Sequence, residues 1–149
     1  MNLIDLVVDK IVKIPLESKD KSDVIRELVQ ILKNAEEIDD FDTALKAVQE
    51  REDKQSTGLT DGIAVPHAKT SAVTNLKLAI GISPEGIDFD SMDKQPSKLF
   101  FLLLASPGMS GPHVEALAEI AKISRSKTLC KALANAENPQ EVVELLRGD

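Results

Sequence analysis

The sequence predicts an α/β protein in which helices cover both faces of a small central sheet. Short apolar segments typical of strands alternate along the chain with longer segments whose apolar residues recur every three or four positions. Residues 98–105 are continuously apolar after the first lysine, which is typical of a central strand buried on both faces. The 149 residues are enough for one domain that buries roughly two-thirds of its unfolded surface.

The first third of the chain predicts one short strand followed by two helices. Residues 11–14 form the strand candidate, which a proline ends. Residues 18–34 have the spacing of a helix with one buried face, and Asp39 or Asp40 can cap a second helix that ends near Glu52. The residues expected to face the core are Val24, Ile25, Leu28, Val29, Leu32, Phe41, Ala44, Leu45 and Val48.

The middle of the chain predicts strands separated by turns. Residues 58–62 are rich in turn-forming residues, and the apolar run at 63–65 predicts a short buried strand. Pro66 has no amide hydrogen for a continuing ladder, so this strand is expected to end there. Residues 76–82 alternate partly and predict another strand, which residues 83–86 are expected to close as a turn.

The last third of the chain predicts three helices. Ser110 or Gly111 can cap the first, with Pro112 in its first turn. Ser126 begins the second, and Asn138, followed by a proline, opens the third. The inward residues expected in these helices are Val114, Leu117, Ala118 and Ala121 in the first, Leu129, Cys130 and Leu133 in the second, and Val142, Val143, Leu145 and Leu146 in the third.

The composition argues against several classes of protein. The chain has no tryptophan or tyrosine and only four phenylalanines, so its core is aliphatic and it lacks platforms for base stacking. A formal net charge of -7 repels phosphate backbones, so nucleic-acid binding is not expected. Cys130 is the only cysteine, which excludes an internal disulfide and fits a reducing cytoplasm. No apolar run approaches the length of a membrane span, so membrane insertion is not expected either.

His67 is the first candidate for chemistry. It is one of two histidines, and it follows Pro66 directly, where a strand is expected to give way to a loop. Because imidazole titrates near neutral pH, a nucleophile or proton carrier fits this position. The alternative is a histidine that only caps the end of a strand.

Arg51, two hydroxyls and a glycine precede this strand in the expected connection from the second helix. Arg51, Ser56, Thr57 and Gly58 are suited to gather around an anion at His67, because a guanidinium supplies charge, hydroxyls donate hydrogen bonds and glycine permits close approach. The alternatives are a solvated surface arginine and a simple turn.

His113 lies in the first turn of a predicted helix that follows the strand at 98–105. A helix start presents free amides and the positive end of the helix dipole, both suited to a phosphate. Since ligands gather beyond strand ends in an open sheet, His67 and His113 are expected to meet there. The alternative is an exposed histidine near a cap.

Other chemistries fit the sequence poorly. Two histidines without a nearby acidic cluster at ligand spacing disfavour a zinc site. The chain has no serine nucleophile elbow, P-loop or dinucleotide fingerprint. Cys130, on a buried helix face, is interpreted as a small hydrophobic residue.

The sequence around both histidines resembles the enzyme IIA domains of the bacterial sugar phosphotransferase system (PTS), of the fructose–mannitol type. Arg51-Glu52 is followed at 56–70 by STGLTDGIAVPHAKT, and the likeness continues through GIDF at 86–89, DKQP at 93–96, the apolar strand and His113. It covers nearly the full chain, and PHAKT is most similar to the fructose branch. The sequence departs from the family at Thr60, where glycine or alanine is usual, and at Gly111-Pro112, where the fructose branch often has an acidic residue.

The resemblance implies a phosphocarrier in which residues 1–149 form a single PTS enzyme IIA type-2 domain with a mixed parallel and antiparallel sheet of about five strands. His67 would accept a phosphoryl group from the phosphohistidine carrier protein and pass it to a cysteine of an enzyme IIB. Arg51, Thr57 and His113 would donate hydrogen bonds to that group, and no cofactor or metal is implied.

Two roles remain open within this resemblance. The first is fructose-type sugar uptake, which Ala68-Lys69-Thr70 favours. The second is the nitrogen-regulatory branch, in which an enzyme IIA acts as a phosphorylation-dependent binding module. A domain that keeps the fold without phosphotransfer is disfavoured because both histidines are present. Neighbouring genes for IIB and IIC proteins would favour uptake.

Overall fold

A five-stranded mixed sheet forms the centre of the protein, as the sequence predicts. The structure is a computed structural model that describes residues 2–148. Two short 3-10 helices, Leu3–Leu6 and Asp9–Ile11, precede the first strand. The elements that follow are β1 (Val12–Lys13), α1 (Lys21–Asn34), α2 (Phe41–Lys54), β2 (Ile63–Ala64), β3 (His67–Lys69), β4 (Lys77–Ile87), β5 (Ser97–Ala105), α3 (Ser110–Ser124), α4 (Lys127–Ala134) and α5 (Pro139–Arg147).

β5 is the strand on which the sheet is built. It pairs antiparallel with β4 on one side and parallel with both β2 and β3 on the other, while β1 pairs parallel with β4. From Leu99 to Ala105 every side chain of β5 is almost completely buried. The prediction of a central strand covered on both faces is therefore confirmed.

Helices pack on both faces of the sheet. On one face α1 comes so close to β4 that a Cβ atom at Gly81 would lie 2.7 Å from Leu16 and 2.9 Å from Leu28. On the opposite face Leu78 and Ile80 of β4 line an apolar cavity with residues of α3, α4 and α5. Among residues 2–148, no helix is long and apolar enough to cross a membrane.

Three helix starts are held by the predicted capping residues. Asp40, rather than Asp39, caps α2 by accepting from the Thr43 amide at 3.1 Å. Ser126 caps α4 and Asn138 caps α5 in the same way, at 3.2 and 2.9 Å. α1 begins three residues later than predicted because Asp20 is its cap, and α2 runs two residues beyond Glu52.

The predicted turn at 83–86 is wrong, because β4 continues through it to Ile87. The pairing of β4 with β5 shifts register between Ile82 and Ile87, and Gly86 has a φ of 85°. The turn-forming residues therefore interrupt the pairing of β4 with β5 and do not reverse the chain. A side chain at Gly86 would also meet Pro96, since its Cβ would lie 2.7 Å from that ring.

The inward face predicted for α3 is wrong at Val114 and Ala118, whereas Leu117 and Ala121 are half-buried. Val114 is 65% exposed and Ala118 is exposed, whereas the residues that are buried are His113, Ala116 and Ile120. The apolar residues are spread around this helix, so the sequence gives little contrast between faces. A polar residue, His113, marks the buried face.

Candidate functional site

His67 is the first residue of β3, so the prediction that it lies where a strand gives way to a loop is wrong. Pro66 interrupts the ladder between β2 and β3 without ending it, because its carbonyl still accepts from the Leu103 amide at 3.0 Å. β2 and β3 both pair parallel with β5, and His67 is in register with Leu103. The histidine is thereby fixed to the central strand.

The His67 ring has one nitrogen tied to the backbone. Nδ1 lies 2.7 Å from the carbonyl oxygen of Val65. A carbonyl only accepts, so Nδ1 carries the hydrogen and the neutral ring keeps its lone pair on Nε2. Burial lowers the pKa of His67 and the nearby Arg51 charge lowers it further, against the opposing effects of the Val65 hydrogen bond and Glu52. The ring is therefore neutral at pH 7, and Nε2 is available as a nucleophile.

His113 lies beside His67, as the sequence predicts. The two ring centroids are 5.5 Å apart with 63° between the ring planes. His113 is only 6% exposed, so the alternative of an exposed residue near a cap is wrong, and its buried Nε2 has no hydrogen-bond partner among the described residues. Burial lowers the pKa of His113, and repulsion from a protonated His67 and from Lys69 lowers it further.

The start of α3 differs from the predicted cap. Met109 occupies the N-cap position and no side chain caps the helix, although Ser110 or Gly111 was expected to do so. The Ser110 hydroxyl instead accepts from Lys69 Nζ at 2.7 Å. This contact joins the end of β3 to the start of α3, and so joins the two elements that carry the histidines.

Arg51 belongs to the last turn of α2, rather than to the connection that follows it. Its Nη1 donates to the Gln55 carbonyl at 2.8 Å. Arg51 lines a concavity together with both histidines, Lys54 and Lys69, and Glu50 is the one acidic side chain that lines it among the described residues. Several cations around two neutral imidazoles suit an anion such as a phosphoryl group.

Thr57 is buried and already bonded. It is 4% exposed, and its amide and hydroxyl donate to the two carboxylate oxygens of Glu52 at 2.7 and 2.6 Å. Thr57 also lines a second concavity that reaches His67. A contact from Thr57 to phosphate stays a prediction, since the hydroxyl is directed at Glu52.

Sequence reasoning missed Glu52 and Lys69. Glu52 lies in a run of mixed charge that reads as a solvated surface, and only the tertiary structure buries it. Lys69 follows His67 by two residues, and residues two apart in a strand lie on the same face. This spacing was a signal in the sequence that Lys69 lies near His67. Within residues 2–148, no group of three or more histidine, cysteine or acidic side chains is arranged to hold a metal ion.

The chain is similar to known proteins along nearly its whole length. Residues 6–148 match the family model described as "Phosphoenolpyruvate-dependent sugar phosphotransferase system, EIIA 2". The chain is 37% identical to the PTS system fructose-specific EIIA component of Haloferax volcanii over 85% of this chain and 82% of that protein. It is 35% identical to the PTS system fructose-specific EIIABC component of Bacillus subtilis, over 98% of this chain but only 23% of that longer protein.

A solved structure supports the same assignment. The nitrogen regulatory protein IIA-Ntr from Neisseria meningitidis superimposes with a TM-score of 0.89 at 25% identity, covering 97% of this chain and 98% of that one. The chain belongs to the EIIA 2 family of the phosphoenolpyruvate-dependent sugar phosphotransferase system.

Proposed function

We propose that this domain, residues 1–149, is a PTS phosphocarrier that accepts a phosphoryl group on His67 from the phosphohistidine carrier protein and passes it to a cysteine of an enzyme IIB in fructose-type sugar uptake. The observation that carries the proposal is the His67 ring, whose Nδ1 is held by the Val65 carbonyl while Nε2 keeps its lone pair. A neutral, oriented imidazole beside cationic side chains is what nucleophilic attack on a phosphoryl group requires.

The transfer balances without a cofactor. Nε2 of His67 attacks phosphorus, the N–P bond of the donor breaks, and the bonding electron pair returns to the donor's histidine. The phosphorylated His67 ring gains positive charge, which the hydrogen bond from Nδ1 to the Val65 carbonyl stabilises. In the second transfer a cysteine thiolate attacks phosphorus, an S–P bond forms, and the electron pair of the N–P bond returns to Nε2.

Positioning and charge stabilisation provide most of the lowering of the barrier, because the transition state of phosphoryl transfer is loose and anionic. Arg51 and Lys69 line the concavity around His67 and supply positive charge to the phosphoryl oxygens. His113 supplies a donor in its unpartnered Nε2. Thr57 would contribute a donor only by releasing Glu52.

Labelling tests the proposal. Incubation with the phosphohistidine carrier protein and its upstream kinase should add one acid-labile phosphoryl group, and the His67→Ala variant should lose it. The His113→Ala variant should still be labelled at His67. Labelling that persists in His67→Ala, or that resides on His113, contradicts the assignment.

A second function is favoured by the Neisseria nitrogen regulatory protein, whose structure covers 97% of this chain. In that alternative the domain is a phosphorylation-dependent binding regulator. The 37% identity to a fructose-specific EIIA component supports uptake instead. Phosphate transfer from this protein to a IIB protein would support uptake, and phosphorylation-dependent capture of a non-PTS partner without transfer would support regulation.

A further inference from the structure

Glu52 is a buried carboxylate with no place in the proposed transfer of phosphate. Its side chain is 3% exposed. An isolated buried charge is costly, so its partners must compensate. Three groups do so: Lys21 Nζ at 3.1 Å, the Thr57 amide at 2.7 Å and the Thr57 hydroxyl at 2.6 Å. Glu52 therefore fixes both the amide and the side chain of Thr57.

A chain of hydrogen bonds continues from Thr57 to the His67 ring. The Thr57 carbonyl accepts from the Val65 amide at 3.0 Å, and the Val65 carbonyl accepts from His67 Nδ1 at 2.7 Å. The amide of Val65 is thus bonded to Thr57, and its carbonyl is bonded to the imidazole of His67. Thr57 and the His67 ring are therefore connected through the two hydrogen bonds of Val65.

The far end of this chain is also anchored. Lys21, the partner of Glu52, lies 3.4 Å from the Asp90 carboxylate and 4.8 Å from the centre of the Phe89 ring. The Phe89 carbonyl in turn accepts from the Ser56 hydroxyl at 2.7 Å, one residue before Thr57. The segment that leads from α2 into β2 is therefore tied to α1 and to the loop after β4.

We propose that Glu52 is a positioning residue for phosphoryl transfer, which acts through Thr57 and Val65 to hold the His67 ring and to keep its hydrogen on Nδ1. The inference rests on the proposed function of His67. Either nitrogen of a neutral imidazole can carry the hydrogen, and a ring protonated on Nε2 has no lone pair to attack phosphorus. Keeping the Val65 carbonyl in place thus keeps the nucleophile in its reactive form.

The tautomer can be measured in the unphosphorylated protein. Long-range proton–nitrogen NMR spectra of the His67 ring, recorded above its pKa, show which nitrogen carries the hydrogen. Wild type should show the hydrogen on Nδ1. In Glu52→Gln the new amide must donate to the Thr57 oxygen, so the hydroxyl hydrogen loses its acceptor. Lys21 loses the buried one of its two carboxylate partners and keeps Asp90. We expect a second tautomer with the hydrogen on Nε2 and transfer slowed roughly tenfold or more.

Two variants at Thr57 separate positioning from direct phosphate contact. Thr57→Val removes the hydroxyl without changing charge, and Thr57→Ser keeps it. If Thr57 only contacted phosphate, Thr57→Val would slow transfer and leave the tautomer of the free ring unchanged. The inference requires that Thr57→Val alters the tautomer as Glu52→Gln does, and that Thr57→Ser behaves as wild type.

Glu27→Gln is a matched control. Glu27 has an exposed side-chain fraction of 10% and is held in the same way, by Lys13, two backbone amides and the Ser18 hydroxyl. None of these partners lines a concavity that reaches His67. The control should lose comparable stability while its His67 tautomer and transfer rate stay at wild-type values.

The outcomes are distinct. An unchanged tautomer in Glu52→Gln and Thr57→Val, or a loss of rate in Glu27→Gln equal to that in Glu52→Gln, overturns the inference while labelling of His67 in wild type stands. Failure of wild type to be labelled at His67 overturns the proposed function, and with it the inference. A changed tautomer together with slower transfer in both Glu52→Gln and Thr57→Val supports it.

Discussion

Replacing His113 with leucine should raise the stability of the protein while it slows phosphoryl transfer, because this residue is buried with an unpaired nitrogen. Its Nε2 has no hydrogen-bond partner among residues 2–148, and leaving such a group buried costs roughly 1–3 kcal/mol. Leucine has a similar volume and no polar atom, so His113→Leu removes this cost, while the change of shape costs less than about 1.5 kcal/mol. We expect the free energy of unfolding to rise by about 1 kcal/mol, which is the difference between these terms.

The same substitution should damage transfer. Removing one donor that is aimed at a developing anion slows a reaction by roughly 100- to 1000-fold, and His113→Leu and His113→Ala both remove the donor. His113→Gln keeps a donor of similar reach and should retain more rate than either. His113→Ala also leaves part of the ring's space empty, so it should be less stable than His113→Leu.

Two measurements check these expectations. Urea unfolding gives the free energies, and rapid-quench transfer from the labelled carrier protein gives the rates. The predicted order of stability is leucine above alanine, with leucine at or above wild type, and the predicted order of rate is wild type, glutamine, then alanine and leucine. A leucine variant that is destabilised by more than about 1 kcal/mol and transfers at the wild-type rate would show that His113 is neither an unpaired buried group nor a donor in transfer.

Two further predictions concern Arg51 and pH. Arg51→Ala should slow transfer more than tenfold, which corresponds to at least about 1.4 kcal/mol of barrier. The free energy of unfolding should change by less than about 0.5 kcal/mol, because within residues 2–148 the arginine side chain bonds only the exposed Gln55 carbonyl. A collapse of the melting transition would instead mark Arg51 as structural. Burial lowers the pKa of both His67 and His113 below the usual 6.5. Because the unfolded state then binds protons more readily than the folded state, protonation favours unfolding. The stability that depends on these two neutral rings is complete above pH 6.5 and is lost as the pH falls through their folded pKa values. Unfolding measured over this acid range should show a loss of stability that is much smaller in a variant lacking both histidines, and equal losses in the two proteins would contradict the assignment.

Local signals in the sequence were sufficient to predict much of the fold. Asp40, Ser126 and Asn138 cap helices because each satisfies an amide within its own first turn, which does not depend on the rest of the chain. The apolar strand β5 was recognisable because burial on both faces removes polar residues from it.

The parts that depend on distant contacts were not predictable from local patterns. Residues 83–86 have turn chemistry, yet they remain inside β4 as an unpaired stretch, because the strand pairs with β5 on both sides of them. His67 returns to the sheet after Pro66 because Leu103 supplies the hydrogen bond. In the site, the juxtaposition of the two histidines followed from sheet topology, whereas the burial of Glu52 depends on Lys21, which is remote in sequence.

The identity of the phosphorylated nitrogen shows whether Nε2 of His67 is the nucleophile. The protein would be labelled with nitrogen-15, phosphorylated by the carrier protein, and examined by NMR for one-bond coupling between phosphorus and a ring nitrogen. Because Nδ1 of His67 is held by the Val65 carbonyl, we expect phosphorus on Nε2 of His67, with the hydrogen remaining on Nδ1. Phosphorus on Nδ1 of His67, or on either nitrogen of His113, would contradict it.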